Sequence, residues 1–424
     1  MCLWFVRRGL IALTGEADME VEVLKRVLAR VDELGGISDS AEYLQRTFLS
    51  TANREAGERV MGWMRELGMD AAHDAGGTVR GFLAGSAEGK AVLIGSHIDT
   101  VINGGKYDGA LGVIAALGAL EQLKVEGVEL PFPVHVLGFS DEEGVRFQST
   151  YLGSAGVIGA LDAGMLAVKD EGGLTVEEVI SQEGWHECAE VFSYDETNAA
   201  GYLELHIEQG RVLEEAGESV AVVSGIFAQA RLRVSVEGLA DHAGTTPMNL
   251  RRDALAGAAE CVLAAEGFAR ENDGMVATVG VMKVLPGASN GIAQTCNFTL
   301  DVRCAENDLL ESGLGVLKGR FAEISKSREL ELKWEVVQVN GAVPCDEGMV
   351  ADLVKSAEKV TGTARVLGSG AGHDGVMMSR VMPVGMIFVR CRAGLSHHPD
   401  EFAEAGDIEA GIDVMVEFLK RRVQ

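Results

Sequence analysis

Ala91-Val92-Leu93-Ile94-Gly95-Ser96-His97-Ile98-Asp99-Thr100-Val101, closely followed by Gly104-Gly105-Lys106-Tyr107-Asp108-Gly109, decides the reading of this chain. Residues 91–95 are short, apolar and β-branched enough to form a buried strand, which puts His97 and Asp99 at its carboxyl end. Residues two apart on a strand point the same way, so an imidazole and a carboxylate share a face. Asp108 follows a glycine-rich turn and precedes a helix-like run over 110–126. An α/β protein builds a metal site in this way.

Outward from that stretch the pattern repeats. Towards the amino terminus, residues 19–34 and 53–67 carry apolar residues at helical spacing, and 71–84 reads as a strand pair. Towards the carboxyl terminus, residues 133–139 form a second core strand ending in Ser140-Asp141-Glu142-Glu143-Gly144. Adjacent carboxylates at the mouth of a buried strand repel unless a cation lies between them, although an acidic loop in an acidic protein looks the same. A third strand over 201–205 ends in His206-Ile207-Glu208-Gln209-Gly210. Alternating strands and helices predict a mostly parallel sheet, and ligands in such sheets collect at the carboxyl ends of strands.

From about residue 219 the texture changes. Strands over 229–237, 275–284, 295–303 and 330–339, with helices over 252–269 and 309–324, give the order βαββαβ of a ferredoxin-like sandwich. Residues 220–338 are therefore predicted to be inserted into a first domain formed by 19–219 and 339–424. The last part returns to the first texture: a helix over 349–361, Gly368-Ser369-Gly370-Ala371-Gly372-His373-Asp374, a strand over 384–389, Leu395-Ser396-His397-His398-Pro399-Asp400-Glu401 and a closing helix over 407–421.

The bulk properties narrow the function. A chain of 424 residues, 47% hydrophobic, can bury the core of a two-domain enzyme. A formal charge of −27 and an isoelectric point near 4.7 argue against nucleic acid or an anionic membrane as partner. Seven cysteines without a CxxC pair suit a reducing compartment, and no apolar run has membrane-spanning length. Residues 1–8 place charge after apolar residues, the reverse of a signal peptide. Cytoplasm is the expected location, with the folded part starting near Met19.

Collected, the candidates are His97, Asp99, Asp108, Glu142, Glu143, His206 and either His397 or His398. Imidazoles and carboxylates without thiolates suit a catalytic zinc, manganese, cobalt or nickel site. They are more than one zinc ion needs, and a pair of ions bridged by a carboxylate would use them all. The glycine-rich run 368–372 does not complete a GxGxxG fingerprint, because His373 interrupts it.

The motifs GSHIDTV, GGKYDGALGV, SDEEGVRF, HIEQG, DHAGTTPM, SNGIAQTCNFTLDVR, GAGHD and GLSHHPDEF, in this order, resemble the M20 metallopeptidase-type amidohydrolases. The similarity is to the branch containing allantoate amidohydrolase, N-carbamoyl-L-amino-acid hydrolase and β-ureidopropionase. It implies an α/β catalytic domain with a mostly parallel sheet and an inserted ferredoxin-like lid or dimerisation domain. It also implies two divalent ions per subunit, a homodimer and a small ureido substrate, allantoate first, with the activity of an N-carbamoyl-L-amino-acid hydrolase or a β-ureidopropionase as the alternative. A dipeptidase, an aminoacylase or a fold relative without catalysis ranks below these, and a dead homologue could lose Glu142, which this chain keeps.

The resemblance also implies roles. His97 and His206 would be terminal ligands on different ions, Asp108 the bridge, and Glu143 and His397 the remaining ligands. His397 rather than His398 fits the family pattern Ser-His-x-Pro-x-Glu. Glu142 would be the general base, with Asp99 orienting His97 and His242 stabilising the oxyanion. Arg303 and Asn290 would hold the substrate carboxylate, with Gln209 and His373 lining the ureido pocket. Arg211 departs from the proline that commonly follows HIEQG in the family.

Overall fold

The computed structural model describes residues 16–182 and 192–423. Residues 1–8, on which the expectation about a signal peptide rests, lie outside it. The described chain divides into two compact units. One contains the chain up to 224 together with 345–367 and 373 onward, and the other contains 225–344 and 368–372.

The first unit is built on a sheet with four parallel strands at its centre: β4 (Val134–Phe139), β3 (Ala91–His97), β5 (Ala199–Ile207) and β14 (Val384–Val389). On one side β2 (Val79–Leu83) and β1 (Asp70–His73) extend it antiparallel. On the other side β6 (Val220–Ile226) runs antiparallel to β14. All seven residues of β3 are buried, which is why residues 91–95 are continuously apolar rather than alternating. The helix Ala110–Val125 is apolar all round for the same reason. It packs on β3 and is covered by helices Glu16–Gly35 and Ala405–Val423, so 13 of its 16 residues are buried. Helix Thr51–Glu66 begins where Ser50 Oγ accepts the Asn53 N–H at 3.1 Å.

β6 departs from the sequence expectation. Residues 220–223 pair with 386–389 and thus continue the first sheet beyond the boundary expected at 219. Val220-Ala221-Val222-Val223 is buried throughout, as a strand covered on both faces requires.

The second unit contains β7 (Ala228–Glu237), β8 (Met275–Thr278), β9 (Met282–Leu285), β10 (Thr295–Cys304) and β11 (Glu331–Asn340). Helix Ala254–Glu271 follows β7 and helix Asn307–Ser327 follows β10. The sheet order is β11-β7-β10-β8 with β9 also on β10, and every pairing is antiparallel, the order of a ferredoxin-like sandwich. The single strand expected over 275–284 is two strands, both paired to β10. Residues 228, 230, 232, 234 and 236 of β7 face the same core as 296, 298, 300, 302 and 304 of β10. Arg231, Asp301 and Arg303 consequently lie on the opposite, polar face. The short β12 (Val343–Pro344) pairs with residues 225–226, and β13 (Arg365–Ser369) also pairs with β6. Among the described residues no helix is long and apolar enough to cross a membrane.

Candidate metal centre

Strand adjacency brings the first two imidazoles together. Ile94 of β3 pairs with Leu203 of β5, and His97 and His206 each lie three residues further along these parallel strands. Both are buried, and their Nε2 atoms are 3.5 Å apart. Each ring commits Nδ1 to a main-chain carbonyl, His97 to Asp99 O at 3.1 Å and His206 to Ile207 O at 3.0 Å. This tautomer leaves both Nε2 lone pairs facing inward.

Asp108 meets them. Its Oδ1 lies 3.1 Å from His206 Nε2 and 3.7 Å from His97 Nε2 and is otherwise a buried oxygen with no hydrogen-bond donor among the described residues. Its Oδ2 accepts from Ser396 Oγ at 2.6 Å and Gln209 Nε2 at 3.1 Å, with His397 Nε2 3.4 Å away. His397 Nε2 is also 3.4 Å from Glu143 Oε1. Gly109 adopts φ +66°, and a Cβ there would collide with the His97 ring, so only glycine lets the Asp108 turn close on the strand end.

The donor atoms form three overlapping groups, each within 4.8 Å: His97, Asp108 and His206; Asp108, Glu143 and His397; and His97, Glu142 and Glu143. Three inward-facing donors around an unpaired buried carboxylate oxygen are a set that a divalent cation completes. The grouping differs from the sequence expectation, which separated His97 and His206 onto different ions. Adjacent parallel strands put these two rings side by side, whereas Glu143 comes from the loop after β4 and His397 from the loop after β14.

Charge in the site is strained in the direction a cation relieves. Burial pushes the Glu142 carboxyl well above its usual range, and the neighbouring Glu143 adds to the rise. Burial opposes the charge on Asp108 as well, but the adjoining His206 and His97 rings hold it well below the usual range. Glu143 raises His397 to about 9. Asp99 points away from these donors: its Oδ1 is 3.3 Å from His97 Nδ1 and accepts the Glu142 N–H at 3.0 Å, and its Oδ2 accepts the Glu143 N–H at 3.2 Å. One buried carboxylate thus ties the end of β3 to the acidic loop after β4.

The other predicted residues have definite places. His373 is buried edge-on against the His206 ring, with centroids 4.5 Å apart. Gln209 and His397 both adopt φ +56°, an uncommon backbone for residues with a Cβ. His398 turns away and accepts the Asp400 N–H through Nδ1 at 3.1 Å. Glu208 is occupied as a cap, accepting the N–H groups of Val212 at 2.7 Å and Leu213 at 3.0 Å. Arg211 donates to Ala393 O at 2.8 Å, within the segment leading to Ser396 and His397.

In the second unit, His242 lies in an exposed turn bridged to Gly291, with Asn290 O accepting the Ala243 N–H at 3.0 Å. Arg303 is part-buried on β10. Asp301 holds its Nε at 2.8 Å and its Nη2 at 3.0 Å, while Nη1 donates to Gly370 O at 2.6 Å. Three of its five N–H donors are used, leaving two for an anion.

Sequence reasoning missed three residues. Fully buried Arg46 donates to Ile98 O at 2.6 Å and to Leu34 O at 2.6 Å, and its main chain exchanges hydrogen bonds with Thr100. Ser396 contacts Asp108 directly, and Glu401 grips the Asp108 main chain. Arg46 stands in a polar loop with no local pattern to mark it, but Ser396 and Glu401 flank the His397 motif.

With this geometry in place, comparison with known proteins is decisive. The model of peptidase family M20/M25/M40 matches residues 93–421. The chain belongs to this family. Allantoate deiminase of Arabidopsis thaliana is 38% identical over 440 residues, covering 96% of this chain and 84% of that protein. N-carbamoyl-L-amino-acid amidohydrolase of Pseudomonas sp. strain NS671 is 35% identical, covering 94% of this chain and 98% of its own. A crystal structure of an amidase of the hydantoinase/carbamoylase family from Burkholderia multivorans superposes with a TM-score of 0.89 at 30% identity, covering 94% of this chain and 98% of that one. The M20 chain described here is accordingly a hydrolase of non-peptide carbon–nitrogen bonds, with a His/Asp/Glu cluster able to bind metal.

Proposed function

We propose that the chain is a two-ion amidohydrolase that cleaves the C–N bond of a ureido group on a carboxylate-bearing substrate, releasing ammonia and carbon dioxide. The convergence of His97, His206 and Asp108 beside the Glu142–Glu143 pair carries this reading. In it, His97, Asp108 and His206 hold one divalent ion and Asp108, Glu143 and His397 hold the other. The ions, Zn²⁺ or Mn²⁺ with Co²⁺ or Ni²⁺ compatible with the same donors, would polarise the substrate carbonyl and acidify water.

The protein groups supply the rest. Glu142, with its raised proton affinity, takes the proton from the attacking water and delivers it to the leaving nitrogen. Asp99 keeps the His97 tautomer and the acidic loop in register. His242 stabilises the oxyanion, Arg303 and Asn290 bind the substrate carboxylate, and Gln209 and His373 line the ureido pocket. The first unit acts as the catalytic domain, and the second, 225–344 with 368–372, as the lid and dimerisation domain.

Allantoate is the preferred substrate, supported by relatives named allantoate deiminase from Arabidopsis thaliana and, as a probable one, from rice at 38% and 39% identity. An N-carbamoyl-L-amino acid is the second reading, favoured by relatives of that name at 35% identity. Ammonia release from allantoate, N-carbamoyl-L-amino acids and N-carbamoyl-β-alanine under one set of conditions separates them. Turnover of N-carbamoyl amino acids without turnover of allantoate would reverse the preference.

A further inference from the structure

Glu401 stands 293 residues downstream of Asp108, yet its Oε1 accepts the main-chain N–H groups of both Tyr107 and Asp108 at 2.9 Å. The side chain is buried, 4% exposed. These amides immediately precede helix Ala110–Val125, whose N-cap Gly109 has no side chain to offer. The Glu401 oxygen there accepts two donors of the turn that leads into the helix. Any Cβ at Gly105 would collide with the Glu401 side chain, so the glycine-rich turn is shaped to admit this carboxylate. The Tyr107 ring packs edge-on against Phe402, with centroids 5.7 Å apart, and fixes the same two segments beside it.

Ser396, from the same downstream segment, holds Asp108 Oδ2, and His397 follows it in sequence. Asp108 is therefore gripped by its main chain through Glu401 and by one carboxylate oxygen through Ser396, leaving Oδ1 facing the imidazoles. We infer that Glu401 is a positioning residue that fixes the Asp108 carboxylate between the two cation positions. The inference rests on the reading of Asp108 as the shared ligand.

Direct binding of Mn²⁺ or Zn²⁺ to the full chain tests it, measured by equilibrium dialysis with elemental analysis and independently of turnover. Glu401→Ala should weaken binding of at least one ion about tenfold or more. Glu401→Gln keeps an oxygen for the two amides and should stay within about threefold of wild type on the same scale. Glu401→Asp keeps the charge but withdraws it by one methylene. It should show the alanine loss, and it carries the test if the alanine variant does not fold. Wild-type ion affinity in folded Glu401→Ala or Glu401→Asp overturns the inference, as does equal loss in Glu401→Gln and Glu401→Ala. Asp108→Ala is the control for the underlying reading: if it keeps both ions at wild-type affinity, Asp108 is not the shared ligand. If it loses them while Glu401→Ala does not, only the positioning role fails.

Discussion

Replacing Asp99 separates the support of the candidate metal centre from its donor atoms. Its carboxylate makes three contacts, to His97 Nδ1 at 3.3 Å and to the amides of Glu142 at 3.0 Å and Glu143 at 3.2 Å, while being 1% exposed itself. In Asp99→Ala both amides lose their acceptor, at a cost of about 1–3 kcal/mol for each one left buried and unpaired. The His97 ring also loses its carboxylate partner, and loss of such an outer contact typically weakens metal binding roughly 10–100-fold, or about 1.4–2.7 kcal/mol. Asp99→Asn is milder. Its Oδ1 can still serve His97 and Glu142, and only the Glu143 amide meets an NH₂ group that cannot accept, so about one such penalty remains. Thermal denaturation without added metal, combined with titration of Mn²⁺ or Zn²⁺, should therefore rank both stability and ion affinity as wild type, then Asp99→Asn, then Asp99→Ala. A folded Asp99→Ala variant with wild-type affinity and melting temperature would refute the idea that Asp99 holds His97 and the acidic loop in place.

Other perturbations address separate parts of the account. Glu142→Gln should retain ion binding and lose roughly 10²–10⁴-fold in kcat, and unchanged turnover in a steady-state assay would remove Glu142 as the base. Arg303→Ala should raise KM for carboxylate-bearing ureides roughly 10–100-fold while affecting a neutral amide analogue much less, and equal effects on both would contradict the clamp. Burial and nearby Arg80 lower His135, whose Nδ1 lies 2.8 Å from Tyr194 Oη, to about 4. The unfolded chain therefore binds a proton at this residue between about pH 6.5 and 4 while the native state does not. The contribution is fully present above that window and is lost as pH falls through it, by up to about 3 kcal/mol. Stability curves from pH 7 to 4 should thus be shallower for His135→Phe than for wild type, and parallel curves would contradict the assignment.

The sequence makes the strand-end chemistry legible because it is local. His97 and Asp99 end one apolar run, Glu142 and Glu143 another and His206 a third, and the structure puts all three runs side by side at the centre of one sheet. The grouping of the donor atoms was not local. That His97 and His206 belong together follows from pairing of β3 with β5, a tertiary fact about segments more than 100 residues apart. The same limit hid Arg46, which earns its buried place through carbonyls of two other segments, and Glu401, which caps a turn nearly 300 residues away. In the second unit β7 and β10 alternate residues of the core with partly exposed ones, so each strand's buried face is written in its own sequence. The break between β8 and β9 was not visible, because both halves remain apolar enough to pair with β10.

We propose above that a bridged pair of divalent ions at His97, His206, Asp108, Glu143 and His397 serves hydrolysis of a ureido substrate. The most direct test is ammonia release from allantoate by the chelated protein as Mn²⁺ or Zn²⁺ is added back, with bound ions counted in the same samples. The chelated protein should show no turnover, and full turnover should return as occupancy approaches two ions per chain. Full turnover without divalent ions, or no turnover of allantoate or any other ureido substrate at two ions per chain, would contradict the proposal.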